Sequence, residues 1–195
     1  GLVGYPVLQT ADIIFAKANW VPVGIDQAPH VELSREIVRR FNNLYGETFP
    51  EPQVRLTEAP SITGTDGESK MSKSMDNHIE LALTEEETLK RVRTMVTDPQ
   101  RARLTDPGRP EVCNVYALHK LFNPGKLSEV YQQCTTAAIG CVEDKVLLGD
   151  GVNRYFREFR ERRVELAAKP AYIQEVLGDG AAKATVLARE TLREV

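Results

Sequence analysis

The chain has 195 residues, of which 42% are hydrophobic and 27% are charged. These values are typical of folded globular proteins and exclude disordered, collagen-like and coiled-coil chains. With 25 Lys and Arg against 28 Asp and Glu the net charge is -3, so any contact with nucleic acid has to be local. We find no bilayer-spanning segment and no signal peptide. Three cysteines without an export signal favour a reducing compartment, and we expect the cytoplasm.

The first predicted elements alternate between helix and strand. Apolar residues at helical spacing predict a buried helix over Val7–Ala18, and the run Trp20–Val23 predicts a strand. A second helix is predicted through Val31–Leu44 with Gly46 as its C-cap, followed by a strand at Val54–Leu56. This order is typical of half of a parallel α/β sheet.

The remainder of the chain changes character after this region. Pro60–Asn77 is rich in Ser, Thr, Gly, Asp and Lys, which predicts an exposed, mobile loop. Thr84 and Glu87 form a predicted capping box at the start of a helix. Further helices are predicted over Val112–Phe122, Leu127–Ala138, Asp144–Ala168 and Pro170–Arg193, the last with a break at Gly178–Gly180. We therefore predict an α/β part over residues 1–80 and an all-α part over residues 81–195.

The sharpest motif is Lys70–Ser74, which reads KMSKS in a glycine-flanked loop. Two ammonium groups three residues apart on a flexible loop can close over a polyphosphate and neutralise the charge that develops as pyrophosphate leaves. A solvated Lys/Ser loop is the alternative for an arbitrary pentapeptide. This string, however, matches the KMSKS signature of class I aminoacyl-tRNA synthetases letter for letter. The resemblance implies that Lys70 and Lys73 are catalytic and contact the phosphates of an ATP–Mg²⁺ complex.

A second motif lies where a predicted strand leads into a helix, at Val21–Gln27. A glycine there allows close approach to the backbone, and the helix N-terminus offers free N–H donors. The sequence from Val23 to Arg35 resembles the VGxDQxxHxELxR stretch of the tryptophanyl-tRNA synthetase family. The ATP-binding residues implied by both motifs are Gly24, Asp26, Gln27, Lys70, Met71, Ser72, Lys73 and Ser74. The fold implied is the second half of a Rossmann-like nucleotide-binding domain followed by a helical anticodon-binding domain.

A third group, Tyr5, Gln9 and Asp12, falls on one face of the first predicted helix. A helix cap and ordinary surface polar residues would explain it without any function. In the family that the chain resembles, the matching helix lines the amino-acid pocket. The resemblance implies that Asp12 accepts the indole N–H, while Tyr5 and Gln27 hold the amino group. Gln9 is typical of the tyrosyl branch, but the Gly24–Gly46 stretch favours tryptophan.

The class I His-x-Gly-His motif is absent, since none of the three histidines lies in such a setting. On the resemblance, we expect the chain to be a C-terminal portion of an enzyme that activates tryptophan with ATP and transfers it to tRNA(Trp). Alone it is expected to have little activation activity, and the family forms homodimers. The alternatives are the tyrosyl branch and a non-catalytic tRNA-binding paralogue.

Three cysteines lie in the predicted helical part, and some members of the family carry a four-cysteine iron–sulfur motif there. Cys113, Cys134 and Cys141 correspond to three of its positions, and Asp144 stands at the fourth. Three thiolates with an oxygen ligand are one interpretation. Buried small apolar cysteines are the other, which we favour because clusters prefer four thiolates.

Two groups of basic residues remain. One repeats every three residues on a predicted helix and is typical of a solvated, salt-bridged face. The other is the better candidate for contacts with tRNA phosphates. The first group is Arg154, Arg157, Arg160 and Arg163, and the second is Lys90, Arg91, Arg93, Arg101, Arg103 and Arg109.

Overall fold

The computed structural model describes residues 4–57, 59 and 61–195. Gly1–Val3 and Pro60, at which the loop prediction begins, lie outside the described residues. The chain divides into two compact units, one made of Gly1–Ser61 with Lys169–Val195 and the other of Ile62–Ala168. Within the described part, no helix combines the length and apolar character needed to cross a membrane. The predicted division into an α/β part over residues 1–80 and an all-α part over residues 81–195 stays a prediction.

The first unit contains the predicted α/β arrangement. Its elements are α1 (Tyr5–Ile14), β1 (Trp20–Val23), α2 (Ala28–Tyr45), β2 (Gln53–Leu56) and α7 (Pro170–Glu194). The two strands pair in parallel, with Val21 opposite Val54. Gly46 follows α2 with φ at 99°, a value that glycine adopts without a steric penalty. The predicted order of helix, strand, helix and strand is therefore confirmed, as is the C-cap.

A buried polar contact and apolar packing hold α1 against α2. The hydroxyl oxygens of Thr10 and Ser34 lie 2.9 Å apart, so one hydroxyl donates to the other. Each oxygen also lies within hydrogen-bond distance of a carbonyl oxygen of its own helix, and the hydroxyl that accepts can donate to that carbonyl. Ile13, Val31 and Val38 are buried beside them. Satisfied hydroxyl groups at such a contact avoid the penalty of burying an unpaired polar atom.

Helix α7 belongs to the first unit, which the sequence did not predict. The Thr191 hydroxyl donates to the Phe15 carbonyl over 2.7 Å, and Lys17 pairs with Glu194. The predicted break at Gly178–Gly180 is wrong, because α7 is continuous over Pro170–Glu194. A glycine costs a helix only about 1 kcal/mol, which neighbouring turns offset.

The second unit is helical. It contains α3 (Glu85–Arg93), α4 (Asn114–Phe122), α5 (Leu127–Thr135) and α6 (Cys141–Ala167). The predicted capping box is confirmed, because the Thr84 hydroxyl accepts from the Glu87 N–H and the Glu87 carboxylate accepts from the Thr84 N–H. The core is formed by Val92, Met95, Cys113, Val115, Leu118, Leu148 and Val152. Its residues come from α3, α4 and α6, from the turn after α3 and from the residue before α4, so burial of these apolar side chains joins the helices.

Arg160 departs from the predicted solvated face of α6. It is half-buried, and its guanidinium donates to the Leu81 carbonyl, the Asn153 side-chain carbonyl and the Thr88 hydroxyl over 3.1, 2.8 and 2.8 Å. The acceptors of Leu81 and Thr88 lie just before α3 and on it, and that of Asn153 lies on α6, so Arg160 is held beside α3. Arg160 therefore has a structural role, since a planar guanidinium suits several fixed acceptors.

The ion pair between Asp98 and Arg109 predicts that acid lowers the stability of the second unit. Asp98 is 5% exposed and accepts two hydrogen bonds from the Arg109 guanidinium, which lowers its pKa to about 2. Because this pKa lies below the unfolded value, the ion pair stabilises fully above about pH 4 and is lost as the pH falls toward 2. We expect Asp98→Asn to lower the free energy of unfolding by about 1–2 kcal/mol at neutral pH. The dependence of that free energy on pH should also become flatter in the acid range. Urea unfolding of both proteins between pH 2 and pH 7 measures this free energy. An equally steep acid dependence in Asp98→Asn would contradict the stabilising role of the ion pair.

Candidate active site

The end of β1 brings three predicted site residues together in the first unit. The Tyr5 hydroxyl donates to the Gln27 side-chain carbonyl over 2.8 Å, and the Gln27 amide donates to the Asp26 carboxylate over 3.1 Å. After β1 ends, Gly24 is extended, and its carbonyl accepts from the Gln27 N–H in a short 3-10 turn. The turn therefore places Asp26 and Gln27 between the strand and α2.

His30 joins this cluster and was not among the predicted site residues. Its Nδ1 lies 3.1 Å from the Gln27 side-chain oxygen, and its ring meets the Tyr5 ring edge to face with centroids 5.3 Å apart. A carboxamide oxygen only accepts hydrogen bonds, so His30 donates through Nδ1–H. Its position three residues after Gln27, at the histidine of the VGxDQxxHxELxR stretch, was the signal that could have identified it.

The other two predicted pocket residues lie on α1, where Tyr5, Gln9 and Asp12 follow one another at helical spacing. The side-chain oxygen of Gln9 is buried and accepts no hydrogen bond from the described residues. Leaving a buried acceptor unpaired costs about 1–3 kcal/mol, so a donor on a bound molecule would stabilise this site. Asp12 is exposed.

The KMSKS loop, residues 70–74, lies in the second unit. Lys70 pairs with Thr63 in an antiparallel bridge, and the Met71 N–H donates to the Ile62 carbonyl over 2.8 Å. Gly67 turns the chain with φ at +76°, where a side chain would be strained. Lys73 begins a 3-10 turn that ends at Met75. Both lysines are exposed, so their ammonium groups are accessible to an anion.

Asn77 holds the two ends of this loop together. Its amide nitrogen donates to the Asp66 carboxylate over 2.7 Å and to the Lys70 carbonyl over 3.2 Å. Its side-chain oxygen accepts from the Ser72 N–H over 2.7 Å, and it is 3% exposed. The hydrogen bond from Asn77 and those from the Glu68 and Ser69 backbone N–H groups lower the pKa of Asp66. A Cβ at Gly64 would come within 2.3 Å of the Asn77 amide carbon, so only glycine fits there.

Two further side chains attach the loop to the helices of this unit. Asn114 donates to the Gly64 carbonyl over 2.6 Å. Arg91 donates to the His78 carbonyl over 2.9 Å, and it also contacts the Asp76 carbonyl and carboxylate. The predicted exposed loop is therefore exposed near its tip, while its base is buried and hydrogen-bonded. Such a base can carry the lysines in a defined position.

The cysteines do not fit an iron–sulfur cluster. The Asp144 carboxylate lies 3.1 Å from His119 Nε2, and Arg101 Nη1 lies 3.8 Å from the sulfur atoms of Cys134 and Cys141. Burial raises the pKa of the Cys113 and Cys134 thiols, which disfavours the thiolate that a cluster needs. In the described part of the chain, no three Cys, His, Asp or Glu side chains are arranged to hold a metal ion. The iron–sulfur interpretation is not supported.

Several members of the second predicted basic group are engaged in internal contacts. Lys90 pairs with Glu86 over 2.8 Å, Arg109 with Asp98 over 2.6 Å, and Arg101 donates to the Ile139 carbonyl over 2.7 Å. Arg91 holds the loop base, as described above. A charge pattern in the sequence cannot distinguish basic side chains in such internal pairs from those that are available to bind a phosphate.

Comparison with known proteins gives a family match. The model of the family described as tRNA synthetases class I (W and Y) matches residues 1–157 of this chain. The tryptophan–tRNA ligase of Aquifex aeolicus is 48% identical over 197 residues, covering 100% of this chain and 50% of that protein. That of Treponema pallidum is 44% identical over 197 residues, covering 100% of this chain and 58% of that protein.

A solved structure matches as well. The crystal structure of tryptophanyl-tRNA synthetase from Campylobacter jejuni, complexed with ADP and tryptophan, superposes with a TM-score of 0.82 at 39% identity. The match covers 100% of this chain and 60% of that one. The chain thus spans about half to three fifths of the length of these relatives.

Proposed function

The chain belongs to the class I tRNA synthetases of the tryptophan and tyrosine family, as its motifs predict, and from this premise we propose that it serves in a tryptophan–tRNA ligase. The reaction would activate tryptophan with ATP and transfer it to tRNA(Trp). The observation that carries the proposal is the KMSKS loop, whose exposed Lys70 and Lys73 stand on a base fixed by Asn77. The relatives from Aquifex aeolicus and Treponema pallidum are tryptophan–tRNA ligases, which favours tryptophan over the tyrosyl alternative.

In the first step, a tryptophan carboxylate oxygen attacks the α-phosphorus of ATP, and the bond to the bridging oxygen breaks. Pyrophosphate leaves with the charge that develops on it, and Lys70 and Lys73 would neutralise that charge. Mg²⁺, bound with ATP, would shield the phosphate oxygens. In the second step, a terminal ribose hydroxyl of tRNA attacks the adenylate carbonyl, and AMP leaves. No covalent bond to the protein forms, so orientation and electrostatics provide the catalysis.

The remaining predicted ATP contacts divide between two segments. Gly24, Asp26 and Gln27 follow β1, at the strand end where α/β folds bind nucleotides. Met71, Ser72 and Ser74 accompany the lysines, and the hydroxyl oxygens of Ser72 and Ser74 lie 2.8 Å apart. The Campylobacter jejuni structure contains ADP and tryptophan, which supports both ligand classes for this chain.

For tryptophan, we assign the amino group to the paired Tyr5 and Gln27 and the indole N–H to Asp12. The hydrogen bond to Gln27 fixes the Tyr5 hydroxyl, whose oxygen keeps a lone pair that can accept from an ammonium group. The buried oxygen of Gln9 lies on the same helix and supports a ligand with a hydrogen-bond donor.

Asp12→Ala tests the tryptophan assignment in the natural gene product that contains this chain. We expect kcat/KM for tryptophan to fall about tenfold to a hundredfold, because a hydrogen bond to a charged acceptor is lost. We also expect the variant to stop distinguishing tryptophan from the analogue in which sulfur replaces the indole N–H. Charging of tRNA(Trp) with each amino acid measures this, with the exposed Glu47→Gln as the matched control. Unchanged discrimination in Asp12→Ala would reject the role of Asp12.

The further partners follow from the proposed activity. They are tRNA(Trp), a second copy of the protein in a homodimer, and the cytoplasmic pool of tryptophan and ATP. The helical part over residues 81–195 is our candidate for the anticodon-binding part. A non-catalytic tRNA-binding protein is disfavoured, because it would have no need of a lysine pair for pyrophosphate.

A further inference from the structure

Two of the three cysteines contact the same guanidinium. Arg101 Nη1 lies 3.8 Å from the Cys134 sulfur and 3.8 Å from the Cys141 sulfur, so the two sulfur atoms are at most twice that distance, 7.6 Å, apart. Both thiols are free and partly exposed, whereas the Cys113 thiol is free but buried in the core. The proposed synthetase reaction uses none of these sulfur atoms. Cys134 and Cys141 therefore form a candidate dithiol pair.

A short turn joins the two members of this pair. Cys134 lies in the last turn of α5, and Cys141 is the first residue of α6. The Ala138 and Ile139 N–H groups both donate to the Gln133 carbonyl, over 2.8 and 3.3 Å, which closes the turn. A disulfide holds its two sulfur atoms about 2 Å apart. Rotation of the two side chains between staggered rotamers is the movement that would bring the sulfur atoms to this distance.

Gly108 and Arg101 define the surroundings of the pair. A Cβ at Gly108 would lie 2.5 Å from the Cys134 sulfur, so a residue without a side chain makes room for that sulfur. Arg101 is also held by groups other than the sulfur atoms, because its Nη2 donates to the Ile139 carbonyl over 2.7 Å and to the Leu104 carbonyl over 3.2 Å. A fixed positive charge beside sulfur favours the thiolate form that begins disulfide exchange.

Cys141 lines a cavity of about 230 Å³, whereas Cys134 is not among its lining residues. Arg101 and Arg103 also line this cavity, and among the described residues that line it none carries a carboxylate. The chain as a whole has a net charge of -3, so the two arginines are a local concentration of positive charge. The volume is below that of sites for drug-sized ligands, so the cavity suits one arm of a small molecule. An anionic molecule is attracted to it.

We propose that Cys134 and Cys141 are a redox-active dithiol that reduces a small anionic disulfide bound at Arg101 and Arg103. The Cys141 sulfur attacks one sulfur atom of the bound disulfide, whose S–S bond breaks, and the first small thiol leaves with one proton. The Cys134 sulfur then attacks the Cys141 sulfur, the mixed disulfide breaks, and the second small thiol leaves with the other proton. The two cysteines are oxidised to an internal disulfide, and the bound disulfide is reduced to two thiols.

The order of the two attacks follows from the positions of the thiols. Cys141 lines the cavity, so its sulfur meets the bound disulfide first. Burial raises the pKa of the Cys134 thiol, which makes Cys134 the less reactive of the pair and suits it to the second attack. In the reducing compartment that the sequence favours, such a disulfide is transient, which is typical of a redox sensor. The inference concerns the second unit alone and does not require the proposed aminoacylation.

Mass spectrometry of the natural gene product that contains this chain tests the proposal. The reduced protein is incubated with glutathione disulfide, which carries a net negative charge at neutral pH, and is then quenched, alkylated and digested with trypsin. The digest places both thiols of the pair on the peptide Leu127–Lys145 and Cys113 on a separate one. We expect Leu127–Lys145 to lose both alkylatable thiols and the mass of two hydrogen atoms, with two glutathione molecules released. The Cys113 peptide should stay reduced.

Serine variants separate the roles of the two sulfur atoms. In Cys134→Ser we expect one glutathionyl group to accumulate on Cys141, because the second attack is removed. In Cys141→Ser we expect reaction at Cys134 to be about tenfold slower or more. Cys113→Ala is the matched control and should form the internal disulfide at the unchanged rate. The digest of the unsubstituted protein remains decisive should a variant fail to fold.

The neutral reagent bis(2-hydroxyethyl) disulfide tests the preference for an anion. We expect Arg103→Gln to slow the reaction with glutathione disulfide about threefold to tenfold and to leave the reaction with the neutral reagent unchanged. Arg163→Gln is the control, because Arg163 is exposed on α6 but does not line the cavity. A mixed disulfide that persists in the unsubstituted protein, an unchanged rate in Cys141→Ser, or equal effects of Arg103→Gln on the two reagents would overturn the proposal.

Discussion

Replacing Lys73 with alanine is expected to lower the rate of tryptophan-dependent ATP–pyrophosphate exchange by about 10²–10³-fold, with little change in stability. Lys73 is exposed at the start of the 3-10 turn, so its removal leaves no cavity in the core. Its proposed role is to neutralise the charge of the leaving pyrophosphate. This electrostatic interaction strengthens in the transition state, where that charge develops. The loss should therefore fall on kcat more than on the KM for tryptophan.

Lys90→Ala is the control for this experiment, because Lys90 is an exposed lysine of the same unit that pairs with Glu86. We expect Lys90→Ala to retain full exchange and Lys73→Arg to retain part of it, since arginine keeps the charge but changes the geometry. Exchange that is unchanged in Lys73→Ala would remove this lysine from the catalytic proposal.

Replacing Asn77 with alanine is expected to destabilise the second unit and to disable the loop. The change leaves the Ser72 N–H and the Lys70 carbonyl without their side-chain partner at a 3% exposed position. Lost hydrogen bonds and unpaired buried groups predict about 3 kcal/mol of destabilisation. Because the base of the loop is then unconstrained, we expect exchange by the folded protein to fall about tenfold or more and the KM for ATP to rise.

Urea unfolding and exchange kinetics on the same preparation separate these two effects. Asn43→Ala, at an exposed position of α2, is the control and should change neither quantity by much. A destabilised Asn77→Ala whose folded fraction keeps normal kinetics would limit Asn77 to a structural role.

Local patterns predicted local structure well. The spacing of apolar residues predicted α2, and Gly46 and the Thr84–Glu87 box predicted its end and the start of α3, because each depends on a few adjacent residues. The limits of α7 were nearly correct for the same reason. Its membership of the first unit depends on contacts such as that of Thr191 with Phe15, residues far apart in the chain, and no local pattern encodes them.

The candidate site was predictable where a motif is continuous. Lys70–Ser74 and the Asp26–Gln27 pair are contiguous in the sequence and could be recognised directly. Asn77 acts through backbone groups of Lys70 and Ser72, whose positions depend on the folded loop. In the same way, Arg91 and Arg109 could not be separated from phosphate-binding arginines, because their partners are set by the tertiary structure.

Amino-acid-dependent ATP–pyrophosphate exchange by the natural gene product that contains this chain tests the central claim most directly. It is run with tryptophan, with tyrosine and without an amino acid, under identical ATP and Mg²⁺. We predict exchange with tryptophan that is abolished by replacing Lys70 and Lys73 together. Exchange that depends on tyrosine, or none with either amino acid from a folded protein, would contradict it.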